Sequence, residues 1–206
     1  MYIPAHSRID DEARVEAFMR QFDFAAIVTH SSEGLVASHV PVTIRRSGAE
    51  LQVVGHVARA NAHRQLMDGQ SESMVIFQGP HGYVSPSWYV APRAAVPTWN
   101  YAVVHAYGRP NTREDPGFIK DVVEELTRRY EAHREHPWSP DLLPAASYEK
   151  LVGAIVGFEM PILRCEAKFK LGQNRSAQDR ARVAAALEGE GPAAADLAGF
   201  MRRYSR

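Results

Sequence analysis

The chain has a single cysteine, Cys165, and that scarcity excludes two classes of architecture. One thiol forms no internal disulfide framework and no multi-cysteine zinc site, so a reducing compartment fits. Excess charge is lacking too: 24 Lys plus Arg stand against 24 Asp plus Glu, a formal net charge of zero. No global footprint of a nucleic-acid or anionic-membrane binder follows, and any such function has to be local. Long apolar runs are also missing. No stretch approaches the ~18–20 apolar residues of a membrane span, and Met1-Tyr2-Ile3-Pro4-Ala5-His6 lacks the pattern of a secretion signal. Common catalytic signatures are absent: no Gly-x-Gly-x-x-Gly, no Walker loop, no His-Glu-x-x-His and no Gly-x-Ser-x-Gly. What is there, over 206 residues, is 45% apolar and 23% charged, the composition of a soluble globular domain, expected in the cytoplasm without membrane attachment.

Patterning gives the elements. Asp10 is placed to cap a helix carrying Val15, Phe18, Met19 and Phe22 at i, i+3, i+4, i+7. Phe24 to Thr29 and Leu35 to Ile44, split by His30-Ser31-Ser32-Glu33-Gly34, read as a hairpin. Leu51 to His56 is a third strand, Ala60 to Met67 a short helix and Met74 to Gln78 a fourth strand. Gly79 to Pro97, rich in proline and aromatics, reads as a structured loop or broken hairpin. Trp99 to Gly108 is a long strand, and Asp115-Pro116 opens a helix with a stripe of Phe118, Ile119, Val122, Val123, Leu126 and Tyr130. A short helix near Ser147 to Leu151 precedes two strands, Ala154 to Glu159 and Leu163 to Leu171. Ser176 with Asp179 forms a capping box, and Pro192 opens a last helix ending in Arg202-Arg203. The sum is a mainly β, α+β domain over 1–175, an antiparallel barrel with peripheral helices, and a helical extension over 176–206 packed on it.

Three segments carry candidate chemistry. At Gly55-His56-Val57-Ala58-Arg59-Ala60-Asn61 a strand runs into a predicted helix; such junctions attract phosphate, and Arg59 supplies a fork for its oxygens. In Lys168-Phe169-Lys170-Leu171-Gly172-Gln173-Asn174-Arg175, alternation points both lysines to one side, with Arg175 nearby. The Gln78 to Tyr89 segment, with Thr98-Trp99-Asn100-Tyr101 after it, sets flat rings beside amides and hydroxyls, as a planar heteroaromatic ligand requires. Each segment also has a purely structural reading: a capped helix, an edge strand blunted by lysines, a proline-ordered loop completing the core. His133 and His136 are read as exposed histidines at a helix end, with no metal site assigned. His39 and His105 stay open between site and core.

Taken together and in order, these segments resemble the PaiB family of FMN-binding negative transcriptional regulators. The resemblance runs through Met1-Tyr2-Ile3-Pro4, Ala37-Ser38-His39-Val40-Pro41, Gly55 to Asn61, Val75 to His81, Tyr83 to Tyr89, Val96 to Tyr101, Val104 to Gly108, Ile155 to Glu159 and Ala167 to Arg175. It implies a dimeric, six-stranded antiparallel Greek-key split barrel with FMN at the subunit interface. It further implies that Gly55, His56, Val57, Ala58, Arg59 and Asn61 serve the phosphate, with Lys168 and Lys170 as further cations. His39, Gln78, Thr98, Trp99, Asn100, Tyr101, Gln173 and Arg175 complete the implied cofactor set.

Function divides accordingly. The resemblance implies an FMN-binding transcriptional regulator, a homodimer with DNA or a regulatory protein as partner. Residues 176–206 hold five Arg against four acids, which gives direct DNA reading little support. The alternatives are an FMN-dependent oxidoreductase using NAD(P)H, with Tyr101, His105 or His39 moving protons, and a flavin or redox sensor acting through a protein partner.

Overall fold

Residues 1–48 and 50–204 are described by the computed structural model, and sustained alternation of apolar and polar side chains becomes strand. β1 (Phe24–Ser31) and β2 (Gly34–Ser47) form a hairpin registered from Phe24↔Pro41 to Ser31↔Gly34. β3 (Glu50–Ala58), β4 (Ser73–Val84), β5 (Thr98–Gly108), β6 (Asn111–Arg113) and β7 (Ile155–Lys170) follow. The strand order is β3-β2-β1-β4-β5-β7-β6, and β3 also pairs with β7, antiparallel from Gln52↔Pro161 to Ala58↔Ile155. Six strands therefore close one hydrogen-bonded circuit. β4 returns beside β1 after the β1-β2-β3 meander, which is Greek-key order. The described residues form seven strands, where the resemblance implies six. The extra one, β6, has three residues hung on β7 through Asn111↔Glu159 to Arg113↔Gly157, too short to show any alternation.

Contacts group the chain into two compact units. One comprises Met1–Phe18, Gln78–Val104 and Glu166–Arg206; the other comprises Met19–Phe77 and His105–Cys165. In the second unit Ile27, Val53, Phe77, Phe158 and Met160 are buried, and helix α2 (Pro116–Glu131) lays Val122 and Leu126 on Val54. Asp115 caps that helix as its sequence predicts, accepting from the Phe118 N–H at 2.8 Å. Glu125 ties it to β2 by accepting from Thr43 and, at 2.7 Å, from Arg45. α3 (Ala145–Gly153) covers the predicted short helix.

In the first unit α4 (Ala177–Glu188) and α5 (Pro192–Tyr204) bury Leu187, Leu197, Phe200 and Met201. Phe169 of β7 packs its ring 5.0 Å from Phe18 and 5.2 Å from Phe200. The capping box is present: Ser176 Oγ accepts from the Asp179 N–H at 3.0 Å and donates to its carboxylate at 2.9 Å.

Four local expectations are corrected. α1 (Glu12–Gln21) is capped by Asp11, not Asp10; the Asp11 carboxylate accepts from the Arg14 N–H at 3.1 Å. The helix expected over Ala60 to Met67 is only a 3-10 turn, Ala62–Leu66, because His63 turns inward and the chain leaves after one turn. β4 runs on through Gly79-Pro80-His81-Gly82 to Val84, so the loop is shorter than expected and holds two 3-10 turns, Pro86–Trp88 and Pro92–Ala94. The last two strands are one, β7, continuous across Pro161. Proline is tolerated there because Pro161 occupies the last rung of the β3 ladder, where a missing N–H costs little.

Candidate functional site

The predicted residues fall into two groups, one in each unit. In the second unit β3 carries Gly55 through Ala58 to a turn at Arg59-Ala60. Gly55 is buried, and a Cβ there would lie 2.9 Å from the Phe158 ring and 3.2 Å from the Pro41 carbonyl. Its smallness serves packing. Val57 is core, and Ala58 is exposed.

Arg59 is held by three groups. Nε donates to the Gly153 carbonyl at 2.8 Å and Nη2 to the Ile155 carbonyl at 3.2 Å, while Nη1 meets Glu114 at 3.1 Å. The two carbonyls fix the plane of the fork. Glu114 is 59% exposed, so that ion pair is weak and exchangeable. Asn61 accepts from the His63 N–H and donates to Ser38 Oγ, both at 3.0 Å.

Beneath this turn lies a network that residue types alone did not reveal. The ring of His63, 1% exposed, contacts Ser38 Oγ through Nδ1 at 2.9 Å and Thr29 Oγ1 through Nε2 at 2.8 Å. Thr29 in turn meets Ser73 Oγ at 2.6 Å. Burial holds the His63 pKa below the ordinary histidine value. A neutral imidazole bonded on both nitrogens locks the turn that bears Arg59 and Asn61. His39 stands outside this network, exposed and stacked on Phe24 at 6.5 Å. His56 is half-buried on β3, and burial lowers its pKa.

The other group is in the first unit. Thr98, Asn100, Lys170, Gln173, Asn174 and Arg175 line a pocket of about 130 Å³. Lys170 Nζ donates to Thr98 Oγ1 at 2.7 Å and to the Trp99 carbonyl. Arg175 lies 4.7 Å over the Tyr89 ring. Gln173 accepts from the Leu171 N–H at 2.9 Å and donates to the Phe169 carbonyl, which shapes the loop after β7. Asn100 is buried, with Nδ2 3.5 Å from Met201 Sδ.

No carboxylate lines this pocket among the described residues. Burial first, then the charges of Lys168 and Arg175, push the Lys170 ammonium below the ordinary lysine value. Such a cluster favours an anion or an electron-rich oxygen, which relieves the mutual repulsion. Lys168 itself is buried between the rings of Tyr2 and Tyr101, 5.6 and 5.2 Å away, and donates to the Tyr2 carbonyl at 3.0 Å. Trp99 is 54% exposed, with Tyr83 edge-on at 6.3 Å and His81 at 6.4 Å; His81 also meets the exposed Gln78 amide at 3.3 Å. A flat ring face and amide groups are thus presented on the same segment pair.

A protein-family model described as "Putative FMN-binding domain" matches residues 1–164. "Protease synthase and sporulation protein PAI 2" of Bacillus subtilis (strain 168) is 33% identical over 205 residues, covering 98% of this chain and 96% of that protein. Among solved structures, the FAD and heme binding protein from Mycobacterium smegmatis has a TM-score of 0.60 at 16% identity, covering 84% of this chain and 78% of that one. The flavocytochrome Anf3 from Azotobacter vinelandii has a TM-score of 0.53 at 18% identity, covering 81% and 70%. These two likenesses bear on fold, which is the split-barrel architecture of flavin-binding proteins.

Proposed function

The chain belongs to the FMN-binding-domain family that includes PAI 2, and from that premise we propose that it works as a homodimeric, FMN-dependent regulator of the PaiB type. FMN is the cofactor that family membership assigns. When bound, it supplies redox chemistry that the side chains themselves lack. The observation that carries the reading is the pocket where Lys170 and Arg175 share space with no carboxylate among the described residues.

Two sets of side chains, one in each unit, are proposed as separate candidates for holding the cofactor. The Arg59 fork, already oriented by the Gly153 and Ile155 carbonyls, would take phosphate oxygens in exchange for the exposed Glu114, beside the donor of Asn61. Lys170 and Arg175 would take carbonyl oxygens of the ring, with Thr98, Trp99, Asn100 and Tyr101 supplying cover and edge contacts. The His63 network keeps the first set in place, and the Gln173 bonds keep the second.

Titrating FMN and riboflavin in parallel separates the two roles, because riboflavin lacks the phosphate. Arg59→Ala is expected to weaken FMN about 10- to 100-fold, as loss of a charge-assisted bond implies, and to leave riboflavin unchanged. Lys170→Met is expected to weaken both. Folded variants that bind FMN as tightly as the parent would refute both assignments. Sedimentation should show a dimer, and a monomer that retains FMN tightly contradicts the assembly.

A further inference from the structure

An opening of about 490 Å³ lies in the second unit, lined by Leu126 of α2, Tyr148 and Val152 of α3, His56 of β3, Ile155 and Trp138. Its volume is in the range of small-molecule sites. The cationic features of the proposed flavin residues are missing: among the described residues no Lys or Arg lines it. Glu131 is the one carboxylate among its described lining residues, and that group is already engaged by the Trp138 N–H at 3.0 Å and by Arg134 at 3.0 Å. A phosphate or other anion therefore finds no counter-charge here, and the lining offers an apolar surface with aromatic walls.

Two of the lining side chains carry buried polar atoms, His56 Nδ1 and Tyr148 Oη, and neither has a hydrogen-bond partner among the described residues. Buried polar groups in native proteins are almost always satisfied, and an orphan points to something that completes it. Burial lowers the His56 pKa and raises that of Tyr148, so near neutral pH both are uncharged. An imidazole nitrogen and a phenol then ask for one neutral group able both to donate and to accept, which is the chemistry of a hydroxyl.

We propose that this opening is a ligand site for a small neutral molecule with a flat apolar body and one hydroxyl, held by His56 Nδ1 and Tyr148 Oη. The body packs among Leu126, Val152, Ile155 and Trp138, which line the opening together with His56 and Tyr148. The assignment uses neither Arg59 nor Lys170, and His56 is the one residue it shares with the set that the resemblance implies for the phosphate.

The test uses the full-length, flavin-loaded protein with methyl-labelled Leu, Val and Ile, titrated with 2-naphthol and separately with 2-naphthalenesulfonate while methyl resonances are followed by NMR. Saturable shifts centred on Leu126, Val152 and Ile155 with naphthol are expected, with the sulfonate at least tenfold weaker. Tyr148→Phe, which keeps the ring, should weaken naphthol at least fivefold, and Leu151→Trp, placed on the exposed rim, should block it. Thermal unfolding and the visible flavin spectrum report folding and cofactor retention independently. No saturable shift at those methyls in folded protein, equal binding of the sulfonate, or unchanged affinity in Tyr148→Phe would each overturn the proposal; the last would leave water as the partner of the orphan atoms.

Discussion

His63 shows how much a single side chain determines at this site. Its ring is buried with both nitrogens bonded, and burial lowers its pKa, as it does for His56. The unfolded chain therefore binds protons more readily than the folded one between the folded values and the ordinary value of 6.5. Stability is expected to be flat above about pH 7.5 and to fall as pH drops below about 6.5, by up to about 1.4 kcal/mol per pH unit for each histidine. Urea unfolding at a series of pH values checks this; a stability that rises on acidification would contradict the neutral assignment. Residue types at the candidate site are legible: Arg59, Asn61, Lys170 and Arg175 stand out as donors suited to phosphate and carbonyl oxygens. Their partners were not, because Gly153, Ile155 and Glu114 lie 55 to 96 positions from Arg59 and no local pattern reports such contacts. His63 was passed over for the same reason, since a buried histidine and a solvated one look identical in a strand-to-turn segment.

Among the elements, helices with chemical start signals were the most readable. Asp115-Pro116 and the Ser176/Asp179 box each work through bonds confined to one turn, so sequence spacing alone specifies them. Ser176→Ala removes an acceptor for the Asp179 N–H and should cost about 1 kcal/mol, read from urea unfolding. Strands set by distant contact were less readable. β7 crosses Pro161 unbroken because that residue sits on the last rung of the β3 ladder, and a further strand comes close there: a Cβ on Gly108 would come within 2.1 Å of the Pro161 carbonyl. Only glycine allows the two backbones that close. Gly108→Ala is accordingly expected to destabilise the fold by about 3 kcal/mol, at the upper end of overpacking costs, because a carbonyl in a ladder has little room to give. A shift under 1 kcal/mol would mean that the strands separate easily. The three-residue β6 escaped prediction altogether, having too few residues for a period.

At the scale of the whole molecule the zero net charge bears on the proposed regulatory function. A DNA reader needs unneutralised Lys and Arg on one face, and each phosphate neutralised steepens the salt dependence by about 0.9 in log–log slope. The α4–α5 pair does not supply that face. Its four Arg stand beside Asp179, Glu188 and Asp196: Arg202 is paired with Glu188, Arg180 and Arg182 are oriented but not neutralised by the Arg175 and Trp88 carbonyls, and Arg203 lies over the Tyr204 ring. The apolar residues of both helices are spent on the core of their unit, Leu187, Leu197 and Phe200 among them. Purified flavin-loaded protein is therefore expected to give no gel shift with promoter fragments at about 150 mM salt, and only a weak, shallowly salt-dependent one below it. A nanomolar, sequence-selective shift at that salt would place a basic surface outside these helices and return DNA binding to the centre of the function. Its absence, with FMN retained, directs the regulatory reading toward a protein partner that senses the flavin-bound state.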